Sequence, residues 1–278
     1  MPATEVVDVQ RRTIIAKAAA TKTFVSKFNI QAKEAVMPVQ DKTAVITGGG
    51  TGIGWGIAQA LATSGCRVVI AGRREEVLQS AIASFEGPEI LYHSVDVADR
   101  DSVNQLFTWA TEKLKQIDIL VNSAGLNIKT RTMAEMQPEQ WDHVLAVNAT
   151  GAYNCMHAVL PQMRLRRDGV IVNVNSIAGV RASALGGVAY AASKFAMTAL
   201  GTAVNNEDCH NGIRVTNVFP GEVNTPILEN RPNPVSDEHK MQILQPEDFG
   251  EVVVAICGLP ARANVSDIVI KPTSQGFV

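Results

Sequence analysis

Within NVNSIAGVRASALGGVAYAASKFAM (173–197) stand a serine, a tyrosine and a lysine in an order able to move a proton. Tyr190 and Lys194 are four residues apart in a helix-like run, so their side chains share one face. A phenol titrates near pH ~10 and is a poor proton donor or acceptor at neutral pH. An ammonium held beside it favours the phenolate and brings that proton into use. Ser176, at the end of the preceding β-branched run, can donate to the same oxygen that Tyr190 protonates. The trio suits polarising a ketone for hydride attack, or taking the hydroxyl proton in reverse. A tyrosine and lysine at this spacing on a surface helix would mean little alone, so the reading depends on the rest of the chain.

TGGGTGIGWG (47–56) gives it a partner. Glycines let the main chain turn sharply and approach a diphosphate, whose charge is met by amides and by the positive end of the helix that follows. The run follows a strand-like segment and opens a helix-like one, which favours a nucleotide site over a mere tight turn. Gly48, Gly52 and Gly54 supply the turn, with Thr51 and Ile53 between them. The next strand-like run ends VVIAGRREE. Gly72 stands where an acidic side chain would accept from ribose hydroxyls, and Arg73 and Arg74 follow it. Guanidinium groups pair well with phosphate, so the pair points to NADP(H) over NAD(H). The plainer alternative is a solvated arginine pair beside Glu75 and Glu76. In VDVAD, Asp96, with Val97 beside it, closes a third run and could accept from an adenine amino group. Its other reading is the cap of the helix that starts near Arg100.

These residues must be held by something, and the pattern after Pro38 says what. Short β-branched runs at 43–48, 67–72, 90–97, 118–125, 169–176, 213–221 and 267–272 alternate with helical stretches near 53–64, 75–86, 100–115, 138–164, 188–210 and 246–257. The runs are apolar on both faces, as strands covered by helices on either side should be. The expectation is an α/β fold: a doubly wound, parallel, seven-stranded sheet in one domain over 41–278. Residues 222–245 break the rhythm with Pro226, Pro232 and Pro234, which predicts a lid or substrate loop.

Composition narrows the partners. The chain has 278 residues and is 46% hydrophobic, ample for a buried core, and its net charge of −2 argues against nucleic acid or a membrane surface as partner. Cys66, Cys155, Cys209 and Cys257 lie far apart, and the five histidines show no paired-ligand spacing, so no metal is expected. No run approaches the ~18 apolar residues a membrane span needs. Residues 1–40 differ from the rest: Arg11, Arg12, Lys17, Lys22, Lys27 and Lys33 face only Glu34 between Arg11 and Met37, with apolar residues at near-helical spacing. Such an extension can be an organelle-targeting segment, an arm on a neighbouring subunit or a loosely ordered tail. A cytoplasmic location is the default expectation.

With TGGGTGIG, NSAG (122–125), Asn148 in VNATG, Ser176, YAASK (190–194) and PGEVNT (220–225) in this order, the chain from about Asp41 onward resembles the short-chain dehydrogenase/reductase family. The resemblance implies a Rossmann-like fold and an oxidoreductase acting on a carbonyl or secondary alcohol. It implies Tyr190 as general acid/base, and Lys194 as the group that lowers its pKa and holds the nicotinamide ribose. Ser176 would position substrate, and Asn148 would support a proton relay. Asn122, Ala124 and Gly125 would line the cofactor cleft, with Asn122 also tying neighbouring strands. Pro220, Gly221, Val223 and Thr225 would hold the nicotinamide amide. Members associate through the two long helices, which implies a homotetramer or homodimer. NSAG stands in place of the commoner NNAG, and one extra residue separates Ser176 from Tyr190. The C-terminal end is similar to the NADP-dependent 3-hydroxy acid branch of the family. A binding-only sensor or scaffold is the rival class, against which the intact Asn148, Ser176, Tyr190 and Lys194 set argues.

Overall fold

The computed structural model describes residues 39–276, and the reading of the N-terminal extension lies outside them up to residue 38. Seven strands form one sheet in the order β3-β2-β1-β4-β5-β6-β7, and every pairing is parallel. They are β1 (Thr43–Thr47), β2 (Arg67–Gly72), β3 (Ile90–Ser94), β4 (Ile119–Asn122), β5 (Gly169–Val174), β6 (Ile213–Pro220) and β7 (Asp267–Ile270). Helices α1 (Gly52–Thr63), α2 (Glu75–Ala83) and α3 (Arg100–Leu114) connect the first four. Then come α4 (Pro138–Leu145), α5 (Gly151–Arg166), α6 (Val188–Asp208), α7 (Asp237–Gln242) and α8 (Asp248–Cys257).

The strands run apolar because both faces are covered. Ala44, Ile46, Val68, Ile70, Ile119 and Val121 pack under α1 and α8, around Ile57, Leu61 and Phe249. Their alternating neighbours Val45, Val69, Leu120 and Ile171 turn to the other face, against Leu106 of α3 and Met156 and Met163 of α5. The chain leaves β1 toward β2 on one side and returns at β4 on the other. This reversal opens a crevice beyond the carboxyl ends of β1 and β4, where ligands of open α/β sheets bind.

Several boundaries depart from the sequence reading: β4, β5 and β7 end at Asn122, Val174 and Ile270 rather than at 125, 176 and 272, the helix expected to 86 ends at Ala83, and three further differences bear on the site. β3 stops at Ser94 rather than 97, because Gly72 ends its partner and only the Val95 amide reaches one bond further, to the Gly72 carbonyl at 3.0 Å. The single helix expected over 138–164 is two, joined by a π-helical turn at Ala146–Thr150. The segment 222–245 is not all loop. It holds a 3₁₀ turn at Pro226–Asn230 and the short α7, and its ends are joined by a parallel bridge between Val223 and Leu244.

Candidate active site

One wall of the crevice is main chain. Thr51 precedes α1 with an extended backbone and no side-chain cap, and the first turn of α1 carries no acidic residue, so its amides are claimed by no side chain. Gly48 and Gly52 have φ of +65° and +54°. A Cβ on Gly48 would lie 2.7 Å from the Ala124 nitrogen, and one on Gly54 would lie 2.4 Å from the Gly48 carbonyl oxygen. Glycine is therefore required for the loop to close on the 123–124 turn. On its far side Thr225 Cγ2 comes within 3.0 Å of where a Gly52 Cβ would be, and Ile53 packs on the core behind. An uncapped helix start framed by glycines fits a diphosphate, and the residues present suit a dinucleotide.

Around this wall the other candidates are spread as follows. Arg73 and Arg74 are exposed at the end of β2, and Glu75 is turned away from them, its Oε1 accepting from Gln79 Nε2 at 3.0 Å. Neither arginine has an ion pair among the described residues, and their exposure is common to a solvated pair and to an open phosphate site. Asp96 is exposed, with Oδ1 accepting from the Ala98 amide at 3.0 Å, and Val97 is buried beside it. The helix-capping alternative for Asp96 fails: Asp99 caps α3, accepting from the amides of Asp101 and Ser102, because it is the residue directly ahead of Arg100.

The opposite wall is made of side chains. Asn148 sits in the π turn, fully buried; its Oδ1 accepts from the Leu126 amide at 2.8 Å. Its Nδ2 donates to the Leu126 carbonyl at 2.9 Å and to Ser193 Oγ at 3.0 Å. The extra residue of the π turn rotates Asn148 toward the strand ends, where it clasps the stretch that follows β4. Gly125 lies between: a Cβ there would be 3.4 Å from Asn148 Oδ1 and 3.7 Å from Lys194 Nζ.

Lys194 is buried at 3% exposure and has no carboxylate partner among the described residues. Its ammonium donates to the Val174 carbonyl at 3.0 Å and lies 5.8 Å from the centre of the Tyr190 ring. Burial pushes its pKa down to about 8. For Tyr190 desolvation pushes the pKa up, while a hydrogen bond with Ser176 and the charge of Arg131 pull it back. Ser176, two residues past β5, caps a short 3₁₀ turn, accepting from the Ala178 amide at 3.1 Å, which leaves its own proton for the phenol. Tyr190, Lys194, Ser176 and Asn148 thus come together at one end of the sheet. Before Tyr190 the chain closes a turn at 183–187, which ends at Gly187 with φ +81°.

A line of amides braces this wall. Asn122 Nδ2 donates to Asn173 Oδ1 at 3.0 Å, Asn173 Nδ2 to Asn217 Oδ1 at 3.1 Å, and Asn217 Nδ2 to Asp267 Oδ1 at 3.1 Å. The four are register partners on β4 to β7, so one row of side chains crosses four strands. Asn122 thus ties neighbouring strands as expected.

Past the strand ends, Pro220 closes β6 and the Gly221 amide donates to the Ile270 carbonyl at 2.7 Å. Val223 turns its side chain into the core. Its bridge is made through Glu222 and Asn224, so the N–H and C=O of Val223 itself face the other edge. An open cleft of about 490 Å³ is lined by Leu185 and by Arg231, Val235 and His239 of the lid segment, among others. Glu222 holds the lid from below, pairing with Arg231 at 2.5 Å and with His239 at 2.9 Å.

Two features escaped the sequence reading. Asn173 and Asn217 carry a signal that could have found them, since each is the one asparagine inside a strand-like run, GVIVNV and IRVTNVFP. Arg131, a lone arginine in a loop, carries none.

Relatives share the family and the fold. A sequence profile described as short chain dehydrogenase matches residues 42–235. An uncharacterized oxidoreductase of Staphylococcus saprophyticus subsp. saprophyticus is 33% identical over 240 residues, 85% of this chain and all of the relative. Among solved structures, the alcohol dehydrogenase of the archaeon Thermococcus sibiricus, complexed with 5-hydroxy-NADP, superimposes with a TM-score of 0.76 at 26% identity, over 85% of this chain and 99% of its own. The closed form of a serine dehydrogenase complexed with NADP+ gives 0.76 at 28% identity, over 84% and 96%. With the profile spanning more than half of its length and a relative 33% identical over 85% of it, the chain belongs to the short-chain dehydrogenase family of oxidoreductases.

Proposed function

We propose that the protein is an NADP(H)-dependent oxidoreductase that interconverts a carbonyl and a secondary alcohol, on a small ketone or 3-hydroxy acid. The observation that carries this reading is the meeting of Tyr190, Lys194 and Ser176 at the strand ends, across the crevice from an uncapped, glycine-framed helix start.

The glycine loop with Thr51 and Ile53 holds the diphosphate, and Ala124 and Gly125 line the crevice floor. Asp96 and Val97 border the adenine, and the Val223 peptide with Pro220, Gly221 and Thr225 orients the nicotinamide amide. Arg73 and Arg74, exposed and free of carboxylate partners among the described residues, take a 2′-phosphate. When bound, the cofactor gives or accepts the hydride. Tyr190 protonates the carbonyl oxygen, or draws the proton from the alcohol. Ser176 donates to the same oxygen, so two fixed donors meet the charge that develops there. Lys194, mostly protonated at neutral pH with a pKa of about 8, favours the phenolate and reaches the ribose. Asn148 holds the loop after β4 against the helix that bears Tyr190, and steadies a proton path behind Lys194.

Two solved relatives complexed with NADP forms support the cofactor, and the name of one, a serine dehydrogenase, supports a 3-hydroxy acid. Tyr153 and Phe195, 43% exposed on α5 and α6, support a homodimer or homotetramer built through these helices. No helix of the described residues is long and apolar enough to cross a membrane.

The test is a panel of ketones and β-keto acids with NADPH and NADH, and of alcohols and 3-hydroxy acids with the oxidised forms. Turnover with NADPH preferred is expected. Equal or better efficiency with NADH overturns the cofactor assignment. Binding without any turnover favours a nucleotide sensor or scaffold instead.

A further inference from the structure

Arg131 lies on the loop between β4 and α4 and is 9% exposed. No carboxylate pairs with it among the described residues. Its fork is taken up by main-chain carbonyls: Nε donates to Ile128 at 2.6 Å, Nη1 to Leu185 and to Gly186, and Nη2 to Asn230 at 2.8 Å. These acceptors belong to three segments, its own loop, the turn 183–187 and the lid. The Arg131 carbonyl in turn accepts from the amide of Val188, the first residue of α6, at 3.1 Å. Gly187 rests on the arginine stem, where an added Cβ would meet Arg131 Cβ and Cδ at 2.9 Å each. The chain therefore enters the helix of Tyr190 across the body of this one side chain.

Carbonyl dipoles satisfy the N–H groups without cancelling the charge. The groups facing the phenol are few. Ser176 hydrogen-bonds it from the turn after β5, Lys194 lies 5.8 Å from its ring on the same helix, and Arg131, whose carbonyl meets the first amide of that helix, carries a positive charge that favours the phenolate. Arg231 on the lid is close enough to act on Arg131, and its own charge is matched by Glu222, whose other oxygen faces His239.

We propose that Arg131 is a positioning residue of the hydride-transfer site: it locks the turn before α6 to the lid and presents an unneutralised guanidinium to the Tyr190 phenol. The proposal rests on the function given above.

Two substitutions separate its parts. Arg131→Lys keeps the charge and loses the fork; Arg131→Met loses both. For alcohol oxidation, the rate rises with pH as Tyr190 deprotonates. The midpoint of that rise should move up by about one pH unit in Arg131→Met and stay in place in Arg131→Lys. Both variants should lose about 10- to 100-fold in kcat/KM, in the lysine variant chiefly through KM, because the lid and the turn are no longer tied. Methylguanidinium should restore part of the loss in Arg131→Met. An ultraviolet phenolate titration, taken as the difference between each protein and its Tyr190→Phe counterpart, reads the same shift without cofactor or substrate. It decides the matter even if no carbonyl compound is turned over, the result that would sink the function alone. The proposal is overturned if Arg131→Met leaves Tyr190 titrating where the wild type does, if both variants shift it alike, or if Arg131→Lys keeps the wild-type KM. Should Arg131→Met not fold, the lysine variant decides: an unshifted midpoint with a raised KM supports the proposal, and either opposite result ends it.

Discussion

Between Gly48 and Gly54 the crevice is walled by main chain from which side chains are excluded: an added Cβ at Gly54 meets a carbonyl oxygen at 2.4 Å. Across the crevice, between Asn148 and Lys194, the wall is side chain throughout, and what matters there is charge and proton. The glycine wall acts by shape, so nearly any substitution harms it and ionisation hardly touches it. The tyrosine wall acts through its electrostatic environment, so a change that barely alters volume should be severe. Sites of the first kind are written in residue spacing. Those of the second kind are written in what folding brings near.

The contrast is strained most at Tyr190. Tyr190→Phe removes one oxygen, and turnover should fall by about 10²- to 10⁴-fold while NADPH binding by fluorescence titration stays close to wild type. A matching loss of cofactor affinity would mean the two walls are not separable.

Lys194 tests the same wall through stability. Its folded pKa, about 8, lies below the ordinary 10.5, so between these values the unfolded chain holds a proton that the folded one has released. Stability contributed by this group therefore rises with pH across that window. Lys194→Met should lack the rise. It should be the more stable protein at neutral pH, by at most about 3 kcal/mol, with the gap closing toward the upper end of the window. Denaturant melts of both proteins at several pH values measure this, and parallel curves would contradict it.

Gly201 sharpens the comparison, because here a missing side chain serves the polar wall. A Cβ on it would come 2.2 Å from Asn217 Oδ1 and 2.6 Å from Asn173 Nδ2. Gly201→Ala should push the amide row apart and cost about 1–3 kcal/mol, seen as a lower Tm. An unchanged Tm would show that the row yields without loss.

Gly72 is the mildest test. A Cβ there meets only Leu78 Cδ2, at an ordinary 3.6 Å, so this glycine is not demanded by shape. Gly72→Asp should fold normally and shift the NADPH-to-NADH ratio of kcat/KM toward NADH by about tenfold, since the new carboxylate repels a 2′-phosphate. A stability loss with no change of preference would place Gly72 with the shape-bound glycines.

Much of the fold could be read before any coordinates, for a physical reason. Strands buried on both faces must be apolar throughout, so TAVIT, RVVIAG and GVIVNV announce themselves, and the glycine loop needs no partner to be recognised. The misses have a reason as well. Periodicity cannot register the one extra residue of the π turn at Ala146–Thr150, because the apolar pattern continues on either side of it. The amide row depends on strand register, which parallel pairing sets only in three dimensions. Arg131 acts on residues 54, 55 and 99 positions away, and no local spacing encodes that reach.

The bridge between Val223 and Leu244 has a consequence for how such a protein can diversify. It pinches both feet of the intervening segment together at the rim, so, apart from Asn230, Arg231 and His239, which Arg131 and Glu222 hold, the stretch between them is a cassette whose length is nearly independent of the scaffold. Doubling that length would cost only about 0.6 kcal/mol in closure entropy. New substrate preferences can thus be grafted there while the proton-handling groups keep their places.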